Sequence, residues 1–209
     1  TGIGSKALFA NTIGFNNTAM GYRSLQTNTT GNSNTAVGVE VLTANEFGDK
    51  NTGLGFEALV SNTLGNSNVG IGSESLLLNT IGSSNVAVGS RALFRNVSGY
   101  SNVANGDGAL YHNISGHNLV AIGDSALYNL GANADFNTAV GSKALYANID
   151  GLANTAIGSN ALMQNTNGSN TAIGALALQI NNTGHDNTAA GTTALGKNTI
   201  GYANSAYGS

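Results

Sequence analysis

Apolar residues in this chain recur neither at the 3.6-residue spacing of a helix nor in long blocks. They come in short alternating runs, each closed by glycine, and the run returns about every 17 residues. It reads N-[T/V]-A-[V/I/L]-G and opens at Asn17, Asn34, Asn51, Asn68, Asn85, Asn102, Asn137, Asn154, Asn170, Asn187 and Asn204, with Leu119 in the asparagine position after Asn102. A fixed short period from end to end marks a solenoid, in which each repeat is one coil laid on the last. The consensus coil is N-T-A-V-G-S-x-A-L-x-x-N-T-x-G-x-S, numbered below as slots 1 to 17; the Leu119 coil has 18 residues and the Asn154 coil 16.

Alternation over slots 2 to 5 predicts a strand with slots 2 and 4 on one face and slots 3 and 5 on the other. Slot 4 holds Ile3, Met20, Val37, Leu54, Ile71, Val88, Ile122, Val140, Ile157 and Ile173, and is expected to be an interior column. Slot 2 alternates between Thr and Val, as suits a half-buried ladder. Slot 3, nearly always Ala or Gly, implies that something passes close to that face. A second column of leucines runs through slot 9 from Leu8 to Leu195. Slots 1 (Asn34, Asn51, Asn68, Asn85 and their equivalents) and 12 form two asparagine columns whose stacked amides can hydrogen-bond from coil to coil. Glycines in slots 5 and 15 supply left-handed or crowded corner positions.

These features predict an all-β parallel β-solenoid of about twelve 17-residue coils, forming one repeat domain over residues 1–209. At one strand spacing per coil it would be roughly 60 Å long. Thr1 enters at slot 2, so the domain is expected to be a fragment of a longer array. Each coil offers only a few large apolar groups, chiefly in slots 4 and 9, which makes a thin core and leads us to expect lateral association, with a homotrimer as the expected state.

Composition points to a stacked, extracellular or fibrous element: 30 glycines in 209 residues, 8% charged residues, no proline and no cysteine. Disulfide and thiol chemistry are therefore absent. A net charge of -3 gives no electrostatic footprint for nucleic acid or an anionic membrane, and no apolar run is long enough to span a bilayer as a helix.

The turn Asn34 to Leu42, like Asn154 to Leu162, resembles the S-V-A-I-G repeats in YadA-like heads of trimeric autotransporter adhesins. It is still more similar to the N-T-A-I-G-x-x-A-L-x-x-N-T-x-G arrays of bacterial surface and phage tail-fibre proteins. The resemblance covers the whole chain. It implies a trimer of left-handed β-rolls projecting from a cell or virion, with adhesion to a host receptor, glycan or matrix ligand as its role. The adhesin heads have a shorter repeat, from which this coil departs by its x-x-N-T-x-G loop.

Candidate chemistry is sparse. Slot 10 carries Phe9, Phe94, Tyr111, Tyr128 and Tyr146, and the run Phe94, Tyr111, Tyr128, Tyr146 is the candidate partner contact, either stacking on sugars or packing within the assembly. Slot 7 gathers charges, including Glu40, Glu57 and Glu74, which would stack about 5 Å apart, near enough for a cation to bridge or else splayed into water. No metal or cofactor site is expected. His112, His117 and His185 lack metal-ligand spacing, and the G-x-G pairs at Gly2, Gly53, Gly70 and Gly106 arise from slots 3 and 5 with no helix to follow. No carboxylate pair suited to glycan cleavage stands out, so an enzyme is not expected. Sequons such as Asn96-Val97-Ser98 follow from the repeat itself.

The least regular stretch, residues 102 to 136, puts Asn105 in slot 4 and Leu119 in slot 1, and holds the extra residue between Leu130 and Phe136. It is either a binding loop around Asp107, Asp124 and Asp135 or a tolerated bulge. An alternative function is ice binding by a monomer through the slot 2 threonines (Thr18, Thr35, Thr52, Thr138, Thr155, Thr171, Thr188), which requires those hydroxyls to face outward.

Overall fold

The computed structural model describes residues 1–131 and 134–208, and within them it is a parallel β-solenoid of about twelve coils. Slots 2 to 4 of successive coils form a 13-stranded sheet, and every pairing is parallel and in register, as in Thr35↔Thr52, Ala36↔Gly53 and Val37↔Leu54. A second, four-stranded parallel sheet joins Asn129–Leu130, Ala147–Asn148, Gln164–Asn165 and Ile180–Asn181, in slots 11 and 12 of the later coils. Among the described residues no two paired strands are joined by a hairpin. Each rung is satisfied by the coil above and below, so the 17-residue repeat is itself the register.

The interior differs from expectation. Slot 3 is the inward position: Ala19, Ala36, Ala87, Ala104, Ala121, Ala139, Ala156, Ala172 and Ala189 are all 0% exposed. Slot 4 faces out, with Ile71 at 36% and Ile157 at 41%, and Val37 and Val88 half-buried. The expected interior column of Val37, Ile71, Val88 and Ile157 is therefore an outer column in the single chain. The reason is the asparagine of slot 1. Its amide is buried and bonded on the inner side, and a period of two then carries slot 3 inward with it. Alanine fits there because the strand runs close to the leucine column: a Cβ built at Gly2 would lie 3.6 Å from Leu8 Cδ1, whereas at Gly53 it would stand 2.4 Å from Val41 Cγ1, which only glycine accommodates.

The core is thus alanine of slots 3 and 8 packed on leucine of slot 9, with Leu25, Leu42, Leu59, Leu76 and Leu93 all 0% exposed. Slots 5 to 10 form a corner rather than a strand, and the backbone turns left-handed at slots 7 and 9, as at Glu57 (φ 54) and Leu59 (φ 55). Such a conformation costs roughly 1–2 kcal/mol for an L-residue, and burial of a leucine side chain returns about the same or more. Glycine is required at slot 5, where Gly72 has φ 126 and an added Cβ would stand 2.5 Å from the Gly89 carbonyl oxygen.

Both asparagine columns are buried hydrogen-bond ladders. In slot 12, Nδ2 of Asn28, Asn45, Asn62 and Asn79 donates to Oδ1 of the preceding asparagine at 2.7, 2.9, 2.7 and 2.8 Å. In slot 1, the backbone N–H of Asn34, Asn51, Asn68 and Asn85 donates to Oδ1 of the asparagine one coil back at 2.9, 2.9, 3.0 and 3.0 Å. Each of these side chains also donates to a slot 15 glycine carbonyl, such as Asn34 to Gly48 at 2.7 Å. A buried amide is tolerated only when its donors and acceptor are used, and the stacked coils provide a partner for each.

Candidate functional site

The aromatic run of slot 10 forms one ladder. Phe94 stacks on Tyr111 with centroids 4.9 Å apart and planes 2° from parallel; Tyr111 on Tyr128 at 5.0 Å and 14°; Tyr128 on Tyr146 at 5.4 Å and 10°. Spacing near one rung follows from in-register stacking of identical slots. The rings use their faces on one another, so an external ligand meets edges and hydroxyl groups along most of the ladder. All four are half-buried, whereas Phe9, without an aromatic neighbour, is 75% exposed.

His112 of slot 11 closes one flank, edge-on to Tyr111 at 4.8 Å and to Tyr128 at 5.3 Å. Burial, with a smaller push from the Arg95 guanidinium, lowers its pKa. Burial first, then the neighbouring phenols of Tyr111 and Tyr146, raises that of Tyr128, which keeps its hydroxyl protonated as a donor. The other flank is a cleft of about 150 Å³ lined by Arg91, Asp107, Gly108, Tyr111, Ser125 and Tyr128. Sequence reasoning missed this cleft. Its signal was the glycine at 108, which interrupts the long side chains of slot 7 beside the aromatic run.

The slot 7 charges also meet as placed. Arg23 pairs with Glu40 at 2.9 Å and Arg91 with Glu74 at 2.7 Å, leaving Glu57 between two carboxylates. Desolvation, then Glu40 and Glu74, raises the Glu57 pKa. The outer carboxylates are thus held by guanidinium groups. Among the described residues no group of three or more His, Cys, Asp or Glu could hold a metal ion.

The three aspartates of the irregular stretch do not form one loop site. Asp107 lines the aromatic cleft, and Asp124 is exposed at the corresponding slot of the next coil. Asp135 lies in the slot 16 column, where its Oδ1 accepts the His117 backbone N–H at 2.9 Å. His117 stacks on Tyr100 at 4.5 Å, as His185 does on Tyr202 at 5.3 Å. Asn105, expected to be a polar break in the core, is exposed, because slot 4 faces outward. The extra residue falls within a segment whose positions 132 and 133 lie outside the described residues.

Comparisons of the chain with protein-family models, curated proteins and solved structures returned no match.

Proposed function

We propose that this chain is a non-catalytic segment of an extracellular fibre or head, carried on a cell surface or a phage tail, that mediates attachment and works as a homotrimer. The observation that carries the reading is the outer face of the 13-stranded sheet, where Met20, Leu54, Ile71, Ile122, Ile157 and Ile173 are each 36–46% exposed along one line. With slot 2 beside it, this stripe covers on the order of 500 Å² over about 60 Å, as much as the largest apolar patch of an ordinary monomer, and such patches mark association sites. Three rods meeting by this face would bury it along a common axis and leave the slot 7 to 17 surfaces for a partner. The number three is what the similarity to adhesin and tail-fibre repeats implies.

The native mass tests the proposal. A trimer that dissociates to folded monomers on Ile71→Lys plus Ile157→Lys is expected, and a stable wild-type monomer at micromolar concentration would overturn it.

A second reading gains from the same orientation. The slot 2 threonines belong to the outer face, and Thr138, Thr155, Thr171 and Thr188 pair in register on consecutive strands. A monomer presenting this flat Thr-and-aliphatic face would suit ice binding, which thermal hysteresis measures directly. A trimer without hysteresis sinks that alternative.

A further inference from the structure

We propose that the cleft at Gly108 binds a single neutral hexose unit of a glycan. The inference rests on the attachment reading above and names its ligand class.

The cleft exists because slot 7 is empty for one coil. Arg23, Glu40, Glu57, Glu74 and Arg91 fill that slot in the preceding coils, and Gly108 does not. A Cβ at 108 would lie 3.1 Å from Tyr128 Cε2 and 3.4 Å from Cδ2, so the glycine leaves an apolar ring edge bare. Around that edge stand the Arg91 guanidinium, the Asp107 carboxylate, the Ser125 hydroxyl and the two tyrosines. Glu74 holds Arg91 through Nε at 2.7 Å, leaving its terminal nitrogens as donors.

The donor and acceptor set selects the ligand. Guanidinium only donates, carboxylate only accepts, and the hydroxyls do both, so a vicinal diol can accept from Arg91 while it donates to Asp107. Arg91 and Asp107 cancel in charge, and Glu74 lies against Arg91, so the cleft offers no net positive charge to a phosphate or carboxylate. A volume of about 150 Å³ lies below the range of pockets for drug-sized ligands and suits one sugar ring. Because the ring faces of Tyr111 and Tyr128 are spent on each other, contact is by edge and hydroxyl. One hexose is then expected to bind with a Kd of about 1 mM, and copies of the cleft on a fibre would lower the apparent Kd by avidity.

Saturation-transfer NMR on the intact chain with glucose, galactose and N-acetylglucosamine, and sulfate displacement as an anion control, tests the inference. Gly108→Ala keeps the backbone, since Arg91 and Ser125 adopt the same left-handed turn in this slot (φ 55 and 53). Asp107→Ala removes the acceptor. The expected result is transfer to at least one hexose, reduced at least fivefold in both variants, unchanged in Lys143→Ala and insensitive to sulfate. No transfer to any of the three sugars, equal transfer in the variants, or displacement by sulfate overturns it. A trimeric particle without hexose signal removes the cleft and leaves the fibre proposal standing; a monomer that shows the signal does the reverse.

Discussion

Leu119 and Leu130 replace both asparagines of one rung and converge above Gly116, where a Cβ would lie 3.2 Å from Leu119 Cδ1 and 3.3 Å from Leu130 Cδ2. Slots 1 and 12 are coupled because in regular coils both amides donate to the same glycine carbonyl, as Asn34 and Asn45 do to Gly48 at 2.7 and 3.0 Å. Exchanging both for leucine trades a polar pair for an apolar one. The trade leaves one cost: Oδ1 of Asn113, now facing Leu130, has no partner among the described residues. We expect Leu119→Asn to destabilise by about 1–3 kcal/mol, since it buries an amide against Leu130, and Leu130→Asn to cost less, since its amide can donate to Asn113 Oδ1. The double variant should lose less than the sum by more than about 1 kcal/mol, measured by a urea-denaturation cycle. Strict additivity would show the rung is not a unit.

The reversal of the strand faces gives a sharp contrast in stability. Leu59→Ala empties a fully buried site and should cost about 2–5 kcal/mol. Ile71→Ala, on the outer column, should cost less than about 1 kcal/mol in a monomer, and more only where copies associate. Denaturation at nanomolar and at high micromolar concentration reads both terms.

Glu57 predicts a pH dependence. Its folded pKa is raised above the 4.5 of the free group, so its ionised form opposes folding. The penalty is complete above the raised folded value, shrinks as pH falls through it, and is gone below about 4.5. Glu57→Gln should therefore raise the melting temperature at pH 7 and leave it unchanged near pH 4. The opposite order of those two differences would refute the assignment.

The aromatic ladder should contribute to stability as well as to contact. Tyr111→Ala removes stacking on both neighbours and is expected to cost about 1–3 kcal/mol, whereas Phe9→Ala, at an unstacked exposed ring, should stay within about 0.5 kcal/mol. Chemical denaturation of the two variants compares them directly.

The period, the parallel register and the asparagine ladders were legible in the sequence because each is a property of one slot repeated, and a column of identical groups at rung spacing needs no tertiary information. The aromatic ladder was legible for the same reason. The inward face was not, because Val37 and Ile71 are the bulkiest residues of their strand and hydrophobicity alone sends them inside. The contrary signal was present in the small residue of slot 3 beside the asparagine of slot 1. Reading it required knowing that the slot 1 amide is bonded inward, to Gly48 in the case of Asn34.

By itself the sequence determined that the chain stacks coil on coil, since a 17-residue repeat with glycine at its corners leaves each backbone group facing its own equivalent in the next turn. Only the tertiary structure decided what those coils enclose. The interior is narrow, and the buried amides and the leucine corner fill it, so the strand must turn its alanine toward them and its larger aliphatics away. The cleft at Gly108 belongs to the same level of organisation: it takes shape only where residues from three successive coils, Arg91, Asp107 and Tyr128 among them, are brought side by side.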